Sequence, residues 1–207
     1  MSAAPTIPNV PVETPPVRWA GEAVLPSRYG DFRIVAFESV DGKDYAVVFR
    51  GDLRGAEDVP VRLHSECLTG DVMGSLRCDC RDQLEAALER IAQLDRGAVV
   101  YLRQEGRGIG LANKIRAYAL QDAGLDTVEA NHALGFDDDL RRYDIAAAIL
   151  RELGVKSIIL LTNNPKKIQG ITAHGIVVHG TQAVRTAENP HNARYLATKR
   201  AKSGHLL

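Results

Sequence analysis

Residues 98–124, AVVYLRQEGRGIGLANKIRAYALQDAG, change character twice within one short segment. Ala98 to Leu102 is an apolar run rich in β-branched and aromatic residues, which predicts a short strand. The polar loop Arg103-Gln104-Glu105-Gly106-Arg107-Gly108-Ile109-Gly110 follows it. A helix is then predicted from about Leu111 to Ala123, with Gly124 as its C-cap. A strand, a glycine-rich loop and a helix in this order form one step of an alternating α/β chain. In such folds ligands gather at the strand ends.

The same alternation continues downstream. A helix from about Tyr143 to Leu153 stops at Gly154, and Ser157 to Leu161 reads as a strand. The loop Thr162-Asn163-Asn164-Pro165-Lys166-Lys167, a short helix to His174 and a strand at Ile176 to Val178 complete the series. Upstream, Leu84, Ala87, Leu88, Ile91 and Leu94 trace one helical face that ends at Asp95-Arg96-Gly97. From Trp19 to His64 the pattern is that of strands. Phe32, Ile34 and Ala36 form one alternating set and Tyr45, Val47 and Phe49 another, on either side of the turn Asp41-Gly42-Lys43-Asp44, and Val59 to His64 is a further strand. The expectation is a mixed α/β fold with an N-terminal antiparallel β region, forming a single domain over residues 19–207.

Five of the nine prolines fall in the first sixteen residues, so residues 1–18 are expected to be a disordered tail. A chain of 207 residues suits one domain with a substantial core. Lys plus Arg equals Asp plus Glu at 26 each, so no overall field draws it to nucleic acid or membrane. No apolar run approaches the ~20 residues of a membrane span, and the N-terminus has no secretory pattern. With three cysteines and no complete pairing available, a reducing cytoplasm is expected.

Those cysteines, Cys67, Cys78 and Cys80, lie within fourteen residues. Three thiolates are one ligand short of a closed tetrahedral zinc site, whereas a catalytic site keeps a position open. Buried free cysteines are the plain alternative, and a Cys78–Cys80 disulfide would be strained. His64 is near enough in sequence to supply a fourth ligand, so structural and catalytic zinc both stand.

Arg103, Arg107, Lys114 and Arg116 make the glycine loop and its helix basic, and Lys114 and Tyr118 share a helix face. A dinucleotide fingerprint fails here, because its third glycine would fall on Leu111 or Asn113. The 162–167 loop repeats the basic, polar theme. Together the loops suit a polyphosphate held by side chains. RNA is disfavoured by an aromatic content of 5% with no stacking run. In His132 to Tyr143 (HALGFDDDLRRY), Asp137, Asp138 and Asp139 read most simply as acidic groups at a helix start. The Asp139-Leu140-Arg141 pair could instead manage a proton and a phosphate.

These motifs together resemble one family, GTP cyclohydrolase II of riboflavin biosynthesis, in its monofunctional form. The matching stretches are RLHSECLTGDVMGSLRCDC (62–80), RQEGRGIGLANKIRAYALQDAGLDTVEANHALGF (103–136), LLTNNPKK (160–167) and NPHNARYLATK (189–199). The resemblance implies a homodimeric enzyme that opens the guanine imidazole of GTP with loss of formate and removes pyrophosphate with magnesium. The product is a diaminopyrimidinone ribosyl phosphate. It casts Cys67, Cys78 and Cys80 as zinc ligands. It casts Arg62, Leu63, His64, Ser65, Glu66, Gln83, Glu105, Gly106, Arg107, Thr127, Thr162 and Lys167 as the GTP site. Asp139 matches the family's proton acceptor, Arg141 its nucleophile, and Tyr118 a tyrosine needed for ring opening. Of these, Glu105 and Gln83 are expected to read the guanine edge. Arg77 and Arg81 are expected to offset the charge of three thiolates. Arginine stays protonated, so stabilising phosphate charge is the more ordinary role for Arg141. One departure is Arg142, where the family commonly has an acidic residue. The rival readings are a paralogue that stops at the formamidopyrimidine and a zinc-stabilised nucleotide- or RNA-binding module without turnover.

Overall fold

Seven strands build one mixed sheet: β1 (Val17–Ser27), β2 (Gly30–Ser39), β3 (Asp44–Arg50), β4 (Val59–Ser65), β5 (Gly97–Leu102), β6 (Ser157–Leu161) and β7 (Val177–Gln182). The computed structural model describes residues 17–137, 139–184, 186–193 and 195–197. Of the expected tail, residues 1–16 lie outside the described residues, and Val17 and Arg18 begin β1. The sheet order is β1-β2-β3-β5-β4-β6-β7. β1, β2 and β3 form an antiparallel meander, β3 is antiparallel to β5, and β5, β4, β6 and β7 run parallel. The expected antiparallel region followed by an alternating α/β half is therefore present, joined into a single sheet.

The β2–β3 turn forms where the sequence places it. Gly42 takes φ 73°, a conformation that costs other residues more. The Asp41 carboxylate accepts a hydrogen bond from the Lys43 amide at 3.1 Å. Tyr45, Val47 and Phe49 of β3 are buried as the alternation predicts. β2 differs, because its deepest residues are Val35 and Phe37, which sit opposite Val47 and Tyr45. Phe32 is buried on the other face against Ala87 and Ile91, while Ala36 is exposed. Cover on that face extends over only part of the strand, so the Phe32-Ile34-Ala36 set is not its core face.

The sheet is flanked by α1 (Cys80–Ala92), α2 (Gly110–Asp122), α3 (Thr127–Ala133), α4 (Asp144–Glu152) and α5 (Pro165–Ala173). One core packs Val61, Leu63, Val100 and Leu160 of the strands against Ile149 and Leu150 of α4 and Ile171 of α5. A second, smaller core places α1 through Ala87 and Ile91 against Phe32 and Val99. Full burial of a Leu or Ile side chain stabilises by roughly 1.5–3 kcal/mol, so these two layers hold α4 and α1 to opposite faces.

Three local features escape the periodicity. α3 is capped by Asp126, whose carboxylate accepts from the Val128 and Glu129 amides while Glu129 returns a bond to the Asp126 amide. A π-helical turn spans Leu68–Val72 and a 3-10 turn spans Glu105–Gly108. The acidic run does not start a helix: α4 begins at Asp144, and Asp138 lies outside the described residues. β7 is longer than expected because Gly180 to Gln182 continue its pairing with β6 past a register shift.

Candidate active site

Because β4, β5 and β6 run parallel, Ser65, Leu102 and Leu161 end on the same edge of the sheet. The cysteine loop, the glycine loop and the 162–164 loop therefore leave the sheet side by side. They frame an open cleft. Strand alternation decides which β4 residues reach it. Val61 and Leu63 enter the α4/α5 core, whereas Arg62 and His64 point to the other face and line the cleft. Leu63, counted with the GTP site from the motif, lies in the core instead. Its carbonyl accepts a 2.6 Å hydrogen bond from Lys167 Nζ.

The three cysteine sulfurs lie within 4.8 Å of one another, and Cys67 and Cys78 Sγ are 3.7 Å apart. Two thiolates on a tetrahedral zinc at ~2.3 Å would be ~3.8 Å apart. Donor type and spacing both fit zinc. The cradle is tight, since a Cβ on Gly70 would meet Cys78 Sγ at 2.9 Å and Cys67 Sγ at 3.1 Å. Hydrogen bonding from the neighbouring thiols, with help from Lys114, holds Cys67 far below the usual thiol range. The bond with Cys67, together with burial, pushes Cys78 up to about 11. Cys80 is raised as well, by the other two thiols first and by burial. The cluster gathers negative charge readily at one sulfur, and a cation is what would let all three carry it.

His64 does not join them. Its Nε2 lies 3.0 Å from each carboxylate oxygen of Asp71, which also accepts from the Cys67 amide at 3.0 Å and the Tyr101 hydroxyl at 2.8 Å. Burial lowers the His64 pKa against the pull of Asp71, so the ring is neutral near pH 7. Among the described residues the three cysteines are the one group able to hold a metal. The histidine organises the π-helical turn that carries Cys67.

Lys114, counted from the sequence among the basic residues suited to a polyphosphate, has its ammonium at the cysteine loop and Glu105. It is 8% exposed, and Nζ donates to Glu105 Oε1 at 2.7 Å, Thr69 Oγ1 at 3.0 Å and Cys67 Sγ at 3.1 Å. Burial alone would lower its pKa, but Glu105 and Cys67 reverse that and keep it charged. The other oxygen of Glu105 accepts from the Leu68 amide at 2.6 Å. Glu105 thus ties the glycine loop to the cysteine loop, and its oxygens are already engaged. Gln83 is engaged too, accepting from Arg62 and donating to Asp79. Both expected base readers line the cleft, and each already holds hydrogen bonds within the protein. The arginines expected to offset the thiolates pair with acids: Arg81 with Glu85 at 3.0 Å, and Arg77, which lines the cleft over the Tyr118 ring at 4.7 Å, with Asp122.

The cationic wall is built from several elements. Arg62, 4% exposed, donates Nη1 to Leu161 O at 2.9 Å, and burial lowers its pKa to about 10. Thr162 accepts from the Asn164 amide at 3.0 Å, and Asn164 caps α5. Gly106 and Arg107 both take positive φ, and Gly108 at φ 100° packs so close to Leu140 that a Cβ would meet its carbonyl at 2.9 Å. Leu140 in turn donates its amide to Arg107 O at 3.0 Å, which brings the 139–141 segment to the cleft. Ser65, Glu66, Gly106, Arg107, Thr127 and Arg141 all line it, and Asp139 stands behind Arg141 as its partner. Tyr118 also lines the cleft, with its hydroxyl 3.4 Å from Thr69 Oγ1, and Thr69 Oγ1 is 3.7 Å from Cys67 Sγ. Burial raises the Tyr118 pKa, so its proton is retained. Asn131 and Gln121 are cleft residues that the motifs did not single out. Of the C-terminal motif, Arg194, Thr198 and Lys199 lie outside the described residues.

Residues 17–183 match the profile of the family described as GTP cyclohydrolase II. The chain is 54% identical over 187 residues to a GTP cyclohydrolase-2 from Yersinia pseudotuberculosis, covering 90% of this chain and 95% of the relative. It is 50% identical over 191 residues to one from Picrophilus torridus, covering 92% and 100%. It is also 52% identical over 184 residues to the riboflavin biosynthesis protein RibBA of Endomicrobium trichonymphae, of which it spans about half: 88% of this chain against 46% of the relative.

Proposed function

Because the chain belongs to the GTP cyclohydrolase II family and is an enzyme of that type, we propose that it hydrolyses the imidazole ring of GTP, releasing formate, and separately removes pyrophosphate. The product is a diaminopyrimidinone ribosyl phosphate. The observation that carries this reading is that the three thiols share one cleft with Arg62, Arg107, Arg141 and Lys167. Ring opening needs activated water, and polyphosphate needs cations; the cleft offers groups for both.

Zinc held by Cys67, Cys78 and Cys80 would supply Lewis-acid activation for the hydrolytic half. The protein's own groups do the rest. Arg62, Arg107 and Lys167 bind and orient the phosphates, with magnesium accompanying the nucleotide. Arg141, kept cationic by Asp139, stabilises charge at the α-phosphate. Tyr118, protonated and one hydroxyl away from the cysteine loop, donates or relays a proton at the base during ring opening. Glu105 and Gln83 hold the walls in place. On this reading the product feeds riboflavin biosynthesis, the enzyme works in the cytoplasm, and the functional unit is a homodimer.

Incubation with GTP and magnesium, with formate, pyrophosphate and the pyrimidine measured separately, tests the proposal. Formate with pyrophosphate supports it. Pyrophosphate without formate indicates a formamidopyrimidine-forming paralogue, and neither product indicates a binding module.

A further inference from the structure

We infer that Lys114 is the charge-compensating positioning residue of the cysteine centre: its ammonium, held by Glu105, donates to Cys67 Sγ and so keeps the three thiolates from quenching the metal's acidity. The inference rests on the metal reading above. Three thiolates over-neutralise a divalent ion by one charge, and the resulting centre is a poor Lewis acid. One buried cation bonded to a ligand sulfur restores the balance. Lys114 meets each condition, since its Nζ is 3.1 Å from Cys67 Sγ, nearly buried, and fixed at 2.7 Å by Glu105. Arg77 and Arg81 are taken by acids outside the thiol cluster, Asp122 and Glu85.

The geometry also explains why Lys114 is not free to act on phosphate. Its three acceptors come from two loops that meet at the cleft: Cys67 and Thr69 from the cysteine loop and Glu105 from the glycine loop. A hydrogen bond from ammonium to thiolate withdraws electron density from sulfur and weakens its donation to a bound ion. Loss of a hydrogen bond to a metal-ligating atom changes metal affinity or activity by about 10–100-fold.

The test compares cobalt-substituted wild type with Lys114→Met and with the double variant Glu105→Gln/Lys114→Met, which leaves no buried carboxylate unpaired. The expected result is a shift of the sulfur-to-cobalt charge-transfer band to longer wavelength in both variants, with the three-thiolate intensity kept. Formate release should fall about 10–100-fold while pyrophosphate release stays near wild type. Lys114→Arg should recover part of both. An unmoved band in a variant that binds cobalt overturns the inference and leaves Lys114 a structural tie. The band reads the centre whether or not GTP is turned over, so a wild type that binds cobalt but consumes no GTP sinks the proposed function alone. A wild type that takes up no cobalt overturns both the metal reading and this inference.

Discussion

Arg141 and Asp139 form a two-pronged pair: the arginine Nε donates to Asp139 Oδ1 at 2.7 Å, its second guanidinium nitrogen donates to Oδ2, and its own amide reaches Oδ1 at 3.2 Å. Burial alone would weaken the Arg141 charge, but the Asp139 bonds overcome that and raise its pKa. Asp139 is likewise held ionised, because Arg141 outweighs the effect of burial. An arginine locked in this way keeps its proton and its charge.

Quenching a reaction during turnover and analysing the protein by mass spectrometry should therefore show no guanylyl adduct on Arg141. Arg141→Lys keeps the charge but loses the fork, and should reduce pyrophosphate release by roughly 10²-fold. A trapped adduct at Arg141 would reverse the assignment.

The same pair sets an acid limit to stability. The Asp139 pKa is lower in the folded protein, so its contribution is complete above the ordinary aspartate value of ~3.9 and is lost as pH falls through the folded value. Asp139→Asn should destabilise the protein by about 3–5 kcal/mol at neutral pH by stranding Arg141. Its denaturation midpoint should also fall less steeply than wild type as pH drops below ~3.9. Parallel acid limbs in the two proteins would sink this.

Zinc retention distinguishes ligands from neighbours. Cys78→Ser should abolish stoichiometric zinc and formate release together. His64→Gln should keep its zinc, because His64 is bonded to Asp71 and stands outside the thiol cluster. Metal analysis after gel filtration decides the point, and loss of zinc in His64→Gln would make it a fourth ligand.

Glu105→Gln offers a choice between reading a base and bracing a loop. Glu105 joins the Leu68 amide to Lys114, so the substitution should lower stability by about 1–3 kcal/mol and speed zinc loss to a chelator. A variant with wild-type stability and zinc retention but a raised KM for GTP would return Glu105 to base recognition.

Much of this was legible along the chain because the signals are local. The Val47-Phe49 alternation, the 98–124 strand-loop-helix segment and the Tyr143–Leu153 helix each follow from a period of two or 3.6. β2 defeated the same reasoning, because Val35 and Phe37 fill one face while Phe32 fills the other, and both parities are apolar. α3 was missed for want of a long periodic run, although Asp126 and Glu129 are a capping box that the sequence displays. The close pair of Gly70 and the thiols leaves no local trace, since it depends on the path of a π-helical turn.

The chemistry of the cleft divides in the same way. Residue types and spacing were enough to pick out the three cysteines and the basic loops, because thiolates, guanidinium forks and glycine turns carry their chemistry wherever they stand, whereas the Asp139/Arg141 pair stood out through the family resemblance. Partners separated by long stretches of chain came only from the tertiary structure. Parallel β4, β5 and β6 bring three loops to one edge, the alternation of β4 turns Arg62 and His64 in and Leu63 away, and α2 delivers Lys114 to Cys67 across forty-seven positions. Which charge offsets which is a matter of distances of about three ångströms, and those are set by packing.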